Sequence, residues 1–168
     1  MKKIMIVEDE AVIALRLEQR LTEMGYEVIG TFHSGEAAVE NARDFQPDIV
    51  LMDIMMPGDL DGIDAAKILR EELDIPVIFL TAYSEDKIIE RAKLAEPYGY
   101  LVKPIRDREL KATIEIALYK KKVEEELEGV CHTGSSSKMY DIVLKGDVRK
   151  RAYIYLRNSG YKVKFEEN

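Results

Sequence analysis

Five short apolar runs, each separated from the next by a segment of helical period, constrain this chain most. The runs are KIMIV (3–7), EVIGTF (27–32), DIVLMD (48–53), PVIFLT (76–81) and YGYLV (98–102). Each is of strand length and nearly continuous in apolar side chains. Between them, residues 11–24 carry Val12, Leu15, Leu17, Leu21 and Met24 at roughly helical spacing, and Gly25 follows as a stop. Ser34 is placed to cap a helix running to Phe45. Further helices are expected over 62–72, with Ile63, Ala66 and Leu69 inward, over 85–94, and from Asp107 toward Glu128. Strands alternating with helices build a parallel sheet covered on both faces, and strands buried on both sides read as unbroken apolar runs. The expected fold is therefore α/β, a doubly wound five-stranded parallel sheet.

Open sheets of this kind bind ligands beyond the carboxyl ends of their strands. Glu8, Asp9, Asp53, Thr81 and Lys103 stand at those ends. Two carboxylates ~4 Å apart repel by about 4 kcal/mol at an effective dielectric of about 20. Three of them converging on one mouth call for a cation, and hard oxygen ligands with room for water suit Mg²⁺. A carboxylate beside that ion can attack a phosphoryl group, while Lys103 and Thr81 supply a charge and a hydroxyl donor. Glu10 is set apart, because it opens the first helix, where a negative charge suits the dipole.

Composition narrows the alternatives. The net charge of −7 divides into +4 from Gly129 onward, where eight Lys or Arg meet four Asp or Glu, and −11 before it. An acidic body disfavours nucleic acid as a ligand of the first 128 residues. No apolar run approaches the ~20 residues that span a membrane, and MKKIMIVEDE does not read as a signal peptide. A single cysteine, Cys131, excludes an internal disulfide and suits a reducing, cytoplasmic setting. His33 and His132 lack partners at metal-ligand spacing and receive no role.

The motifs IVEDE, LMDIMMPGDLDG, FLTAYS and GYLVKP, taken together, identify residues 1–121 as resembling the receiver domain of two-component response regulators. The resemblance implies a flavodoxin-like sheet of strand order 2-1-3-4-5. It implies that Asp53 accepts a phosphoryl group from a sensor histidine kinase in an Mg²⁺-dependent step. Asp9 and Asp53 would bind the ion directly, Glu8 largely through water, and Met55 by its backbone carbonyl. Thr81 and Lys103 would contact the phosphoryl group. Tyr100 matches the aromatic that moves with Thr81, and Lys103–Pro104 matches a cis peptide. Phosphorylation would reshape the face made by the fourth helix, fifth strand and fifth helix, for a downstream protein partner or a homodimer. Such a protein catalyses only its own phosphotransfer and autodephosphorylation. The chain departs from the family pattern in two places: MPGDLDG is one residue longer than usual, and Glu8 stands where aspartate is commoner. Tyr83 lies where family members tune the access of water.

Beyond the receiver, 122–138 reads as a helical extension and flexible linker, with Lys120/Glu124, Lys121/Glu125 and Lys122/Glu126 at i,i+4. Residues 139–168 read as a small basic strand–helix–strand tail with Arg149, Lys150 and Arg151 in one run. Alternative readings are a DNA-binding transcription regulator acting through that tail and a phosphorelay intermediate. An aspartate-nucleophile phosphatase is disfavoured, because Met55 stands where such enzymes need a second acid.

Overall fold

The computed structural model describes residues 1–82 and 86–131, with side chains for all of these except 86–89 and 128–131. Tyr83, His132 and the tail at 139–168 lie outside the described residues. The elements run β1 (Lys3–Val7), α1 (Ala11–Glu23), β2 (Glu27–Phe32), α2 (Gly35–Phe45), β3 (Ile49–Asp53), α3 (Gly62–Leu73), β4 (Val77–Thr81), α4 (Asp86–Leu94), β5 (Gly99–Val102) and α5 (Asp107–Cys131). The strands are all parallel in the order β2-β1-β3-β4-β5. Met1–Lys121 forms one compact unit, and α5 continues past it to Cys131. Gly129–Cys131, expected in the linker, are therefore helical. No helix among the described residues is long and apolar enough to cross a membrane.

Alternation along the strands divides the apolar residues into two cores. Met5, Val7, Val50, Met52 and Phe79 pack with Ala38 and Ala42 of α2, Ile63, Ala66 and Leu69 of α3, and Ala92 of α4. Ile4, Ile6, Ile49, Leu51, Ile78 and Leu80 pack on the other face with Ala14, Leu17 and Leu21 of α1 and Leu110, Ile114 and Ala117 of α5. Both sides of β1, β3 and β4 are thus closed, which is why these strands need no polar face.

The inward face of α1 differs from the expected one. Ala14, Leu17 and Leu21 are buried, but Val12 and Leu15 are 64% and 66% exposed. The stripe at 14, 17 and 21 follows the three- and four-residue steps of one helical face, and 12 and 15 fall off it. Leu17→Ala is expected to cost about 2–5 kcal/mol by cavity formation, and Leu15→Ala within about 0.5 kcal/mol, read from urea unfolding midpoints.

Local signals set the helix ends. The Ser34 hydroxyl accepts from the Ala37 N–H at 3.2 Å, and Asp61 accepts from Ile63 and Asp64, both at 3.0 Å. Helix α1 closes through Met24 into Gly25, whose φ of +88° suits a residue without a Cβ. Glu10 precedes α1 but makes no side-chain cap. Its N–H instead points to the Glu8 carboxylate at 3.4 Å.

Near the amino-terminal edge of β5, Tyr98 is 9% exposed and packs with the second core. The guanidinium of Arg70 lies 5.3 Å from its ring centre and the ammonium of Lys120 4.7 Å. Arg70 also pairs with Glu96 at 2.8 Å, and Lys121 pairs with Asp74 at the end of α3.

Candidate functional site

The sheet order places β1 and β4 on either side of β3, so their carboxyl ends flank Asp53. One oxygen from each of Glu8, Asp9 and Asp53 lies within 4.8 Å of the others. The Lys103 ammonium reaches in from the end of β5, 2.6 Å from Glu8 Oε2 and 2.5 Å from Asp53 Oδ2. The Lys103–Pro104 peptide is cis.

These groups differ in exposure. The Glu8 side chain is 0% exposed and that of Asp53 9%, whereas Asp9 faces solvent. Burial raises the Glu8 carboxyl above its ordinary value, the Lys103 hydrogen bond opposes that shift, and the Asp53 charge adds to it. Burial works against the Lys103 ammonium, but hydrogen bonds to Asp53 and Glu8 outweigh it and raise the lysine. Without any ion, Lys103 already bridges Glu8 and Asp53. With all four groups ionised the cluster carries three negative charges against one positive. The remaining charge, the all-oxygen donors and the open side at Asp9 fit a divalent cation that keeps part of its water.

Both oxygens of Asp53 are engaged. Oδ2 accepts from Lys103, and Oδ1 accepts from the Met55 N–H at 2.9 Å. The carboxylate is therefore oriented by its own loop on one side and by β5 on the other. Thr81 ends β4 at 4% exposure, and its carbonyl accepts the Lys103 N–H at 2.8 Å, tying the two strand ends together. Met55 is 57% exposed. Asp59, in the longer loop, is exposed and does not join the acidic cluster.

Tyr100 packs on Phe79 with ring centres 5.8 Å apart. Its hydroxyl is buried and has no hydrogen-bond partner among the described residues. Burial raises its pKa, and Lys93 opposes the shift. A buried hydroxyl left unpaired costs about 1–3 kcal/mol. Tyr100→Phe is therefore expected to raise stability by up to about 1 kcal/mol, measured by urea unfolding without phosphodonor.

Sequence reasoning missed two residues beside the site. The His33 ring Nδ1 lies 2.9 Å from the Glu8 carbonyl and, protonated, donates to it. The Glu8 N–H in turn donates to the Phe32 carbonyl at 2.9 Å, so β2 braces the backbone that carries the first acid. The Glu36 carboxylate accepts from the Asp59 and Leu60 N–H groups at 2.9 and 2.8 Å. Neither contact has a spacing signal, because each joins segments that meet only through the sheet and the loop. The one available hint was position, since His33 directly follows a strand paired with β1.

A family model described as the response regulator receiver domain matches residues 4–115. The transcriptional regulatory protein PdtaR of Mycobacterium tuberculosis is 41% identical over 128 residues, covering 76% of this chain and 62% of that protein. A probable transcriptional regulator, ycf27, of Porphyra purpurea is 44% identical over 119 residues, covering 70% of this chain and 47% of that protein. The chain thus matches only about half to three fifths of the length of these relatives. Among solved structures, the signal receiver domain of a modulated diguanylate cyclase from Desulfovibrio desulfuricans superposes with a TM-score of 0.71 at 42% identity. That match covers 74% of this chain and 98% of the other.

Proposed function

The chain belongs to the response regulator receiver domain family, and we propose on that premise that Asp53 is its phosphoacceptor. The observation that carries the reading is the Asp53 carboxylate at the end of β3, oriented by Met55 and Lys103 beside Glu8 and Asp9. In the proposed reaction an Asp53 oxygen attacks the phosphorus of a phosphohistidine on a sensor kinase. The P–N bond breaks, the imidazole nitrogen keeps the electron pair, and Asp53 becomes an acyl phosphate. Asp9, Asp53, the Met55 carbonyl and, through water, Glu8 would hold Mg²⁺, which when bound neutralises charge on the phosphoryl oxygens. Lys103 supplies a fixed positive charge to the same group, and the Thr81 hydroxyl donates to it. The chemistry is confined to the protein's own aspartate, both in gaining the phosphoryl group and in losing it to water.

The output we infer is a switched protein contact. Thr81 and Tyr100 shift with phosphorylation and bias two states of the α4, β5 and α5 face. Leu94 on α4, Val102 on β5, and Ile116 and Tyr119 on α5 are 73%, 56%, 65% and 54% exposed, which supports a partner on these elements. That partner is a downstream protein or a second copy of the chain. The names of the matched relatives and the basic residues after Gly129 favour one further reading, transcription control with a DNA contact in the tail. Salt-dependent affinity for duplex DNA that survives deletion of 132–168 would exclude the tail as its source.

The central test is intact-mass measurement after incubation with acetyl phosphate. The protein should gain one phosphoryl group with Mg²⁺ and none with excess chelator, and Asp53→Asn should gain none. Uptake by Asp53→Asn equal to that of the wild type would remove Asp53 from the role.

A further inference from the structure

The loop 54–61 carries the backbone from Asp53 to α3, and it is one residue longer than the pattern its sequence resembles. Its base is closed by the Gly62 N–H donating to the Ile54 carbonyl at 3.2 Å. Met56, 9% exposed, anchors it in the core under α2, α3 and α4. Pro57, Gly58 and Asp59 are exposed, so the core does not hold this part of the loop.

Glu36 holds it instead. One oxygen of its carboxylate, Oε1, accepts both the Asp59 and the Leu60 N–H. The carboxylate also lies against Gly58, where an added Cβ would stand 2.9 and 3.0 Å from its two oxygens. Gly58 has φ +126°, a conformation that lets the backbone turn its next two N–H groups toward α2. The N–H groups of Glu36 itself and of Leu60 hold this carboxyl below the usual carboxylate range, so it stays an acceptor through mildly acidic pH. An acid in the first turn of a helix commonly serves only the helix dipole. Two loop N–H groups converging on one oxygen are a different arrangement, because they couple α2 to the segment that starts at the phosphoacceptor.

We propose that Glu36 is a positioning residue for the Asp53 site. Through Asp59 and Leu60 it sets the path of the loop whose first residues place the Met55 N–H on Asp53. The proposal rests on the reading of Asp53 as phosphoacceptor. Partners of this kind, which touch ligand-bearing segments rather than the ligand, change metal affinity or activity by about 10–100-fold when removed.

The test compares wild type, Glu36→Gln and Glu36→Ala in the full chain. Three quantities are read: amide hydrogen exchange at Asp59 and Leu60 without metal, the Mg²⁺ dissociation constant by calorimetry, and the rate of phosphorylation by acetyl phosphate. Glu36→Ala should speed exchange at both amides, weaken Mg²⁺ about tenfold and slow phosphorylation by a similar factor. Glu36→Gln keeps an oxygen acceptor and should stay within about threefold of wild type, a rescue that a role for charge alone would not produce. Equal Mg²⁺ affinity in Glu36→Ala and wild type, or equal impairment of the Gln and Ala variants, would overturn the proposal. A wild-type protein that takes up no phosphoryl group would refute the reading of Asp53, and the exchange and calorimetry would still decide the role of Glu36.

Discussion

Lys103→Ala is expected to cost about 3–5 kcal/mol of stability in metal-free protein at neutral pH, read from urea unfolding. The ammonium lies 2.6 Å from Glu8 and 2.5 Å from Asp53, whose side chains are 0% and 9% exposed. Removing it leaves two buried carboxylates facing each other without a counter-charge. Breaking a buried pair in this way costs more than the pair contributed, because the orphaned charges cannot return to water.

The pH dependence identifies the cause. Burial raises the Glu8 carboxyl above 4.5, Lys103 opposing and Asp53 adding. A raised carboxyl pKa means that the folded protein still holds a proton the unfolded chain has lost. Stability therefore falls as pH rises from the unfolded value of 4.5 through the folded one. Without Lys103 the folded value moves higher and the window of loss widens. The variant should thus recover more stability than wild type when pH is lowered from about 7 toward 5. Mg²⁺ should also restore part of it, since binding to the folded state alone stabilises by mass action. Equal stability of variant and wild type across this range would show that Lys103 does not compensate Glu8.

The second large effect is expected at Gly62, the first residue of α3. An added Cβ would stand 2.0 Å from the Asp53 carbonyl oxygen and 2.9 Å from both the Asp53 carbonyl carbon and Ile54 Cα. All three are backbone atoms, so no side-chain rotation relieves the overlap. Gly62→Ala should cost about 3 kcal/mol or more, at the upper end of overpacking penalties. It should also depress phosphorylation beyond the loss of folded protein, because two of the displaced atoms belong to Asp53, the proposed phosphoacceptor. Gly30 is the control. A Cβ there meets the Phe32 ring at 2.8 Å, which can swing aside, so Gly30→Ala should be near neutral. Similar unfolding midpoints for Gly62→Ala and wild type would refute the backbone argument.

The parts of the protein that were legible in the sequence share a cause. Strand positions followed from apolar runs buried on two faces, and β1 and β2 begin and end where the runs do. The start of α2 came from Ser34, which caps the helix within three residues of itself. The strand-end residues Glu8, Asp9, Asp53, Thr81 and Lys103 could be selected because a parallel sheet brings all its carboxyl ends to one edge. What failed was the face of α1: several apolar residues are available, and only the packing surface decides which of them are buried.

By itself, then, the sequence determined the α/β class, the element order and which residues stand at the carboxyl ends of the strands, since each depends on local period or on a rule of chain direction. Only the tertiary structure decided who neutralises whom. Lys103 bridges Glu8 and Asp53 across separations of 95 and 50 residues. Glu36 reaches a loop more than 20 residues away, and His33 braces Glu8 across 25. These contacts depend on distances of a few ångströms between segments that no local pattern relates, and on burial strong enough to make each unpaired charge costly. Residue type named the acids of the site; the packed sheet determined that one lysine must serve two of them.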